Sequence, residues 1–149
     1  MMRVFGFCIL FILIITNISC NRDVNNISPN GPDYGYMSAS INGNYWSATT
    51  GYAQSPSAFT LSLYGTYNQA SYITINISNY NGPGAYTLGG FNTAIFYDGY
   101  GNEYDATSGT VSVTYDVNNQ VKGYFSFSGI ATYGGSVINV SGGQFNLSR

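Results

Sequence analysis

From Met37 onward apolar and polar residues alternate with a period of two, and no stretch repeats at the helical period of 3.6. Met37, Ala39 and Ile41 alternate with Ser38 and Ser40. Asn42-Gly43 follows, a strong short hairpin signal, and Tyr45-Trp46-Ser47-Ala48 returns from it. Phe59, Leu61 and Leu63 form one apolar row, and Ile73, Ile75 and Ile77 form another. Tyr86-Thr87-Leu88 and Thr93 to Tyr97 are short strands between glycine turns. Val111, Val113, Tyr115 and Val117 read as an inward row against Ser112, Thr114 and Asp116. Asn118-Asn119 turns the chain into Val121, Phe125 and Phe127, and Ile138 and Val140 lead to Phe145 and Leu147. Gly142-Gly143 interrupts that last run and predicts a bulge.

About nine strands at intervals of roughly 8–15 residues predict an all-β fold. The expectation is an antiparallel β-sandwich over residues 37–149, with a closed β-barrel as the alternative. Leu, Ile, Val and Phe supply only 25 of the 130 residues from Cys20 on, but fifteen tyrosines and Trp46 add the burial that an ordered core needs. Charge is too sparse to blunt every sheet edge, because Lys122 is the one lysine. Ile73–Ile77 and Val111–Val117 are therefore expected to be central strands. Edge protection falls to short strands, glycine bends and loops, and the domain is expected to be a monomer.

The N-terminal segment reads differently. Arg3 precedes an apolar run from Val4 to Ile15, twelve residues long. As a helix this run would reach about 18 Å, short of a hydrocarbon core of about 30 Å, so it reads as a signal-peptide core and not a span. Thr16-Asn17-Ile18-Ser19 follows and then Cys20. Ile18-Ser19-Cys20 resembles the closing positions of a bacterial lipoprotein processing site. That resemblance implies a signal peptide over residues 1–19, lipidation at Cys20, and contact with the membrane through the lipid. Several acyl chains at ~0.8 kcal/mol per buried methylene would make the anchor durable. Residues 20–36, rich in Asn, Asp, Ser, Pro and Gly, read as the anchor and a flexible tether. Cys8 falls in the discarded segment, which leaves no disulfide. The expected location is the outer membrane. Asn21-Arg22-Asp23 leaves the periplasmic face and the cell surface equally open.

The composition excludes several kinds of chemistry. With no histidine, Ser-His-Asp and Cys-His catalysis and histidine zinc sites are absent. A formal net charge of −2 offers no basic field for nucleic acid. No catalytic set, metal site or cofactor motif emerges. The one acidic cluster, Asp98-Gly99-Tyr100-Gly101-Asn102-Glu103-Tyr104-Asp105, carries oxygen ligands of the kind calcium takes but lacks the EF-hand spacing, so it reads first as a solvated hairpin connection. The same carboxylates would serve a hydrolase only if they lined a concave site. Lys122 has no serine–lysine motif around it. Tyrosines offer the better lead. Tyr72 and Tyr124 fall opposite their strands' apolar rows, and Tyr97, Tyr100 and Tyr104 crowd one loop, a chemistry suited to stacking on sugars or packing on proteins. Trp46, beside Ala48 on an early hairpin, reads as core.

Ser38-Ala39-Ser40-Ile41-Asn42-Gly43-Asn44-Tyr45-Trp46-Ser47-Ala48 resembles the opening hairpin of small Bacteroidota lipoproteins that share a domain of unknown function. Gly84-Ala85-Tyr86-Thr87-Leu88-Gly89 resembles the middle of that domain. Ser108-Gly109-Thr110-Val111-Ser112-Val113, Gly123-Tyr124-Phe125-Ser126-Phe127 and Gly143-Gln144-Phe145-Asn146-Leu147 resemble its closing strands. The order of these segments carries the likeness, which implies a β-sandwich lipoprotein and assigns no catalytic residues. The functional expectation is a non-enzymatic binding or structural module of the outer membrane, with a glycan or protein as ligand. A glycan-binding protein using exposed tyrosines is the alternative, and a carboxylate hydrolase is the third reading.

Overall fold

Two-residue turns that begin with asparagine reverse the chain where the alternation breaks. Asn42 and Gly43 have φ of 48° and 84°, and Asn118 and Asn119 have φ of 53° and 61°. Two successive residues in the left-handed region make the tight hairpin turn whose twist matches the flanking strands, and asparagine and glycine enter that region at least cost. The computed structural model describes residues 35–149. The expected signal peptide, Cys20 and the tether up to residue 34 lie outside the described residues.

Ten strands follow in order: β1 (Tyr36–Ile41), β2 (Asn44–Ser47), β3 (Thr50–Ser57), β4 (Thr60–Tyr67), β5 (Ser71–Ser78), β6 (Gly84–Leu88), β7 (Thr93–Tyr97), β8 (Glu103–Val117), β9 (Gln120–Ala131) and β10 (Val137–Ser148). They form one antiparallel sheet in the order β2-β1-β10-β9-β8-β7-β5-β4-β3, with β6 also on β8. The sheet curls into a half-barrel. The all-β antiparallel class expected from the alternation holds, and the facing layers are opposite walls of this single sheet. The strand that the alternation missed is β3, in which Ala53 is the one buried residue and Pro56 interrupts the ladder donors.

Two long strands are broken in the middle and so bend the sheet. β2 and β3 run on through Ala48 and Thr49, the first half pairing with β1 and the second with β4. Ala48 N–H donates to Met37 O at 2.8 Å and Thr49 N–H donates to Thr66 O at 2.8 Å, which carries the chain from one wall to the other. The walls meet closely at Gly51, where a Cβ would lie 2.8 Å from Leu147 Cδ2 and 2.9 Å from Tyr64 O. β6 and β7 likewise lie end to end along β8.

The enclosed core is continuous. Met37, Leu61, Leu63, Ile73, Ile75, Ile77, Val111, Val121, Val140 and Leu147 are fully buried, with Phe125, Phe127 and Phe145 packed among them. At roughly 1.5–3 kcal/mol per large apolar side chain, this row is the main source of stability. Three residues expected inside are outside. Phe59 sits in the turn between β3 and β4 and is exposed. Tyr115 and Val117 are exposed because the β8–β9 register shifts between Val113 and Tyr115. Thr114 is the extra residue of this bulge, and it flips the parity of everything after it. Gly142-Gly143 does carry the expected shift between Val140 and Gly143.

β5 lies between β4 and β7, and β8 between β9 and the β6–β7 pair, so both strands expected to be central are central. Of the path's outermost strands, β2 has four residues and β3 carries Pro56. The strands also give the molecule two distinct ends. Tyr36, Asn118-Asn119 and Ser148 lie at one, here the Tyr36 end. The turns at 42–43, 68–70, 98–102 and 132–136 lie at the other, the Trp46 end. At about 3.3 Å per residue, β1 separates the two by roughly 17 Å.

Candidate functional site

The Trp46 end carries four exposed tyrosines, Tyr100 and Tyr133 on turns and Tyr45 and Tyr67 on the strand ends beside the other two turns. The turns are otherwise made of Asn, Gly, Ser, Thr, Gln, Ala and Asp. Inside them the half-barrel is not filled to its rim. A recess of about 330 Å³ opens there, lined by Ile41, Asn42, Asn44, Tyr45, Trp46, Ser71, Phe96, Asp98, Tyr104 and Ile138. Strand parity explains the lining. Trp46, Ser71, Phe96 and Tyr104 point inward at the strand ends, whereas Tyr72, Tyr97 and Glu103 alternate outward. Trp46 is buried, as expected for core, and its indole Nε1–H donates to Ser71 Oγ at 2.9 Å. Phe96 and Tyr104 stack with centroids 6.1 Å apart.

On the outer face below this rim, four tyrosines run across four strands. Tyr52–Tyr64, Tyr64–Tyr72 and Tyr72–Tyr97 have centroid separations of 5.1, 5.9 and 5.2 Å, with planes 34°, 30° and 23° apart. Rings this close and this nearly parallel overlap like shingles, so the inner ones spend a face on a neighbour. Such cross-strand aromatic pairs support a sheet by roughly 0.2–1 kcal/mol each. Tyr72 Oη–H donates to Glu103 Oε2 at 3.0 Å, and its phenol is pushed above the usual range, first by burial and then by that carboxylate.

The structure thus gathers some of the tyrosines singled out from sequence and separates others. Tyr72 and Tyr97 join the outer row with Tyr52 and Tyr64. Tyr104 turns inward to the recess, and Tyr100 stands at a turn tip. Tyr124 lies apart on β9, beside a shallow groove formed with Thr110, Ser112 and Gln144. Lys122 lies 5.3 Å above the Tyr115 ring, a contact that the Thr114 bulge creates.

The carboxylates do not converge. Asp98 accepts from Tyr100 N–H at 2.7 Å, from Asn102 N–H at 3.2 Å and from Asn102 Nδ2 at 2.7 Å. Burial, the largest single influence, pushes its pKa up, but the donors together outweigh it and hold the carboxyl below its ordinary value. Asp98 therefore shapes its own loop. Glu103 serves Tyr72, and Asp105 Oδ2 accepts from Thr132 Oγ1 at 3.0 Å. Among the described residues no three Cys, Asp or Glu side chains come close enough to hold a metal ion. Of the three acids only Asp98 lines the recess.

The Tyr36 end holds an arrangement that the alternation hid. The Thr114 bulge turns Asp116 towards Tyr80, whose hydroxyl donates to Asp116 Oδ2 at 2.6 Å, and Arg149 Nη2 reaches the same oxygen at 2.8 Å. Burial, then the carboxylate, pushes the Tyr80 phenol well above its ordinary range. The sequence signal that could have found Asp116 is weak, because Thr114 carries no glycine to mark a bulge.

Together these features define an all-β antiparallel half-barrel with one locked end and one recessed, tyrosine-bearing end. Residues 34–147 match the family described as Domain of unknown function (DUF6252), and the chain belongs to that family. No curated protein and no solved structure matches the chain.

Proposed function

We propose that the chain is a non-enzymatic lipoprotein of the outer membrane, held by lipid on Cys20 and acting as a monomeric binding module. The observation that carries this reading is the polarity of the half-barrel. The chain enters β1 at Tyr36, and the exposed tyrosines on turns lie at the opposite end. A tether from Cys20 to Tyr36 would leave that far end facing away from the membrane. Tyrosine, serine, glycine and asparagine on turns held by a rigid sheet are also the composition of recognition loops, since tyrosine brings a large amphipathic area at low entropic cost. The leader pattern at residues 1–19 and the Ile18-Ser19-Cys20 spacing support the anchor. The likeness of the strand order to Bacteroidota lipoproteins supports the location.

Two measurements test the two halves of this reading. A clickable palmitate analogue should label the chain in its host, and Cys20→Ser should lose the label and leave the membrane fraction. Membrane retention of that variant through washing overturns the anchor. Arrays of glycans and of envelope proteins, probed with the chain from residue 21 on, should yield a ligand that Tyr100→Ala with Tyr133→Ala binds more weakly. A ligand held equally well by the double variant overturns the assignment of the binding end.

A further inference from the structure

We infer that the recess at the Trp46 end binds a single neutral sugar unit, the terminus of an uncharged glycan. This inference rests on the reading of the chain as a binding module and names its site and ligand class.

Two features of the recess select that chemistry. Its inner wall is aromatic: Trp46, Phe96 and Tyr104 come from β2, β7 and β8 and meet only because the sheet curls. Its mouth is polar and uncharged apart from Asp98, with Asn44 exposed at the lip. A sugar ring matches both, laying its C–H face on aromatic carbon and its hydroxyls on amide and carboxylate groups. Asp98 already accepts three hydrogen bonds from Tyr100 and Asn102. With about four lone-pair sites on a carboxylate, one remains for a ligand hydroxyl. The volume of about 330 Å³ lies at the small end of ligand sites, which run from roughly 300 to 1,000 Å³, so it suits a chain end and not a long oligosaccharide.

Charge narrows the choice. Among the described residues the basic side chains are Lys122 and Arg149, and both lie towards the Tyr36 end, Lys122 over Tyr115 and Arg149 on Asp116. Nothing cationic at the recess would compensate a sulfate or a uronate, and Asp98 would repel either. A quaternary ammonium would also favour aromatic walls and a carboxylate, but it carries no hydroxyl or amide to meet Asn42 and Asn44 at the mouth.

Trp46 is the one tryptophan in the chain, so its emission reports on this recess alone. The chain from residue 21 on is titrated with neutral di- and trisaccharides of glucose, galactose, mannose and N-acetylglucosamine, with galacturonate oligomers and with tetramethylammonium chloride. The expected result is a saturable emission change with at least one neutral sugar and none with the other two probes. Asn44→Ala and Tyr104→Phe, which remove a polar group and leave the fold's apolar contacts, should each weaken binding roughly 5- to 10-fold. A silent Trp46 with every neutral sugar overturns the inference, as does a response to uronate or tetramethylammonium alone. A partner found on the arrays while Trp46 stays silent removes this inference and leaves the binding-module reading standing.

Discussion

The two ends of the half-barrel use tyrosine in opposite ways. At the Tyr36 end Tyr80 is 7% exposed, and its hydroxyl is spent on Asp116 beside Arg149. At the Trp46 end Tyr100 is 92% exposed and stands clear of the core. The same side chain is a structural bolt in one place and an offered surface in the other. Burial and partnering decide which, and residue type does not. A β-protein with few charges has little else to build either feature from, so it distributes one residue type by environment.

That contrast makes the two ends respond differently to mutation. Tyr80→Ala should cost about 3–5 kcal/mol in a urea unfolding titration, because it empties an aromatic site in the core and takes one of two donors from Asp116. A loss below about 1 kcal/mol would break the contrast outright. Asp116→Ala should cost about 1–3 kcal/mol by leaving the buried phenol without its acceptor. A pH series sharpens the same point. The Tyr80 phenol is raised above its unfolded value near 10, so its contribution is complete below about pH 10 and falls away as pH climbs further. Tyr80→Phe should flatten that alkaline decline, and an unchanged slope would assign it to other phenols. At the far end Tyr100→Ala and Tyr133→Ala should each stay within about 0.5 kcal/mol of the parent, since surface changes away from packing usually do. Equal losses at both ends would mean the exposed tyrosines are structural after all.

Much of the sheet is written in the local pattern. Ile73, Ile75 and Ile77 announce a strand with one buried face, and Asn42-Gly43 and Gly142-Gly143 announce a turn and a bulge because glycine marks both. Thr114 shows where this stops. A bulge built from threonine has no local signature, yet it turned Tyr115 and Val117 outward and Asp116 inward, and with them the whole locked end. β3 was hidden for another reason: it buries Ala53 alone, so alternation has nothing to repeat. The recess was illegible for a third. Trp46, Phe96 and Tyr104 are spread over more than fifty residues, and only the register of a curled sheet decides that they share a wall.

The pairing of β1 with β10 bears on how the chain folds. Tyr36 lies opposite Asn146, and Ile41 opposite Val140, so the first strand in chain order pairs with the last. Contacts this distant along the chain make folding slow, in the range of milliseconds to seconds for all-β domains of such topology. Until β10 has been made, β1 has only β2 beside it in the sheet, and the chain stays open to whatever machinery handles it first.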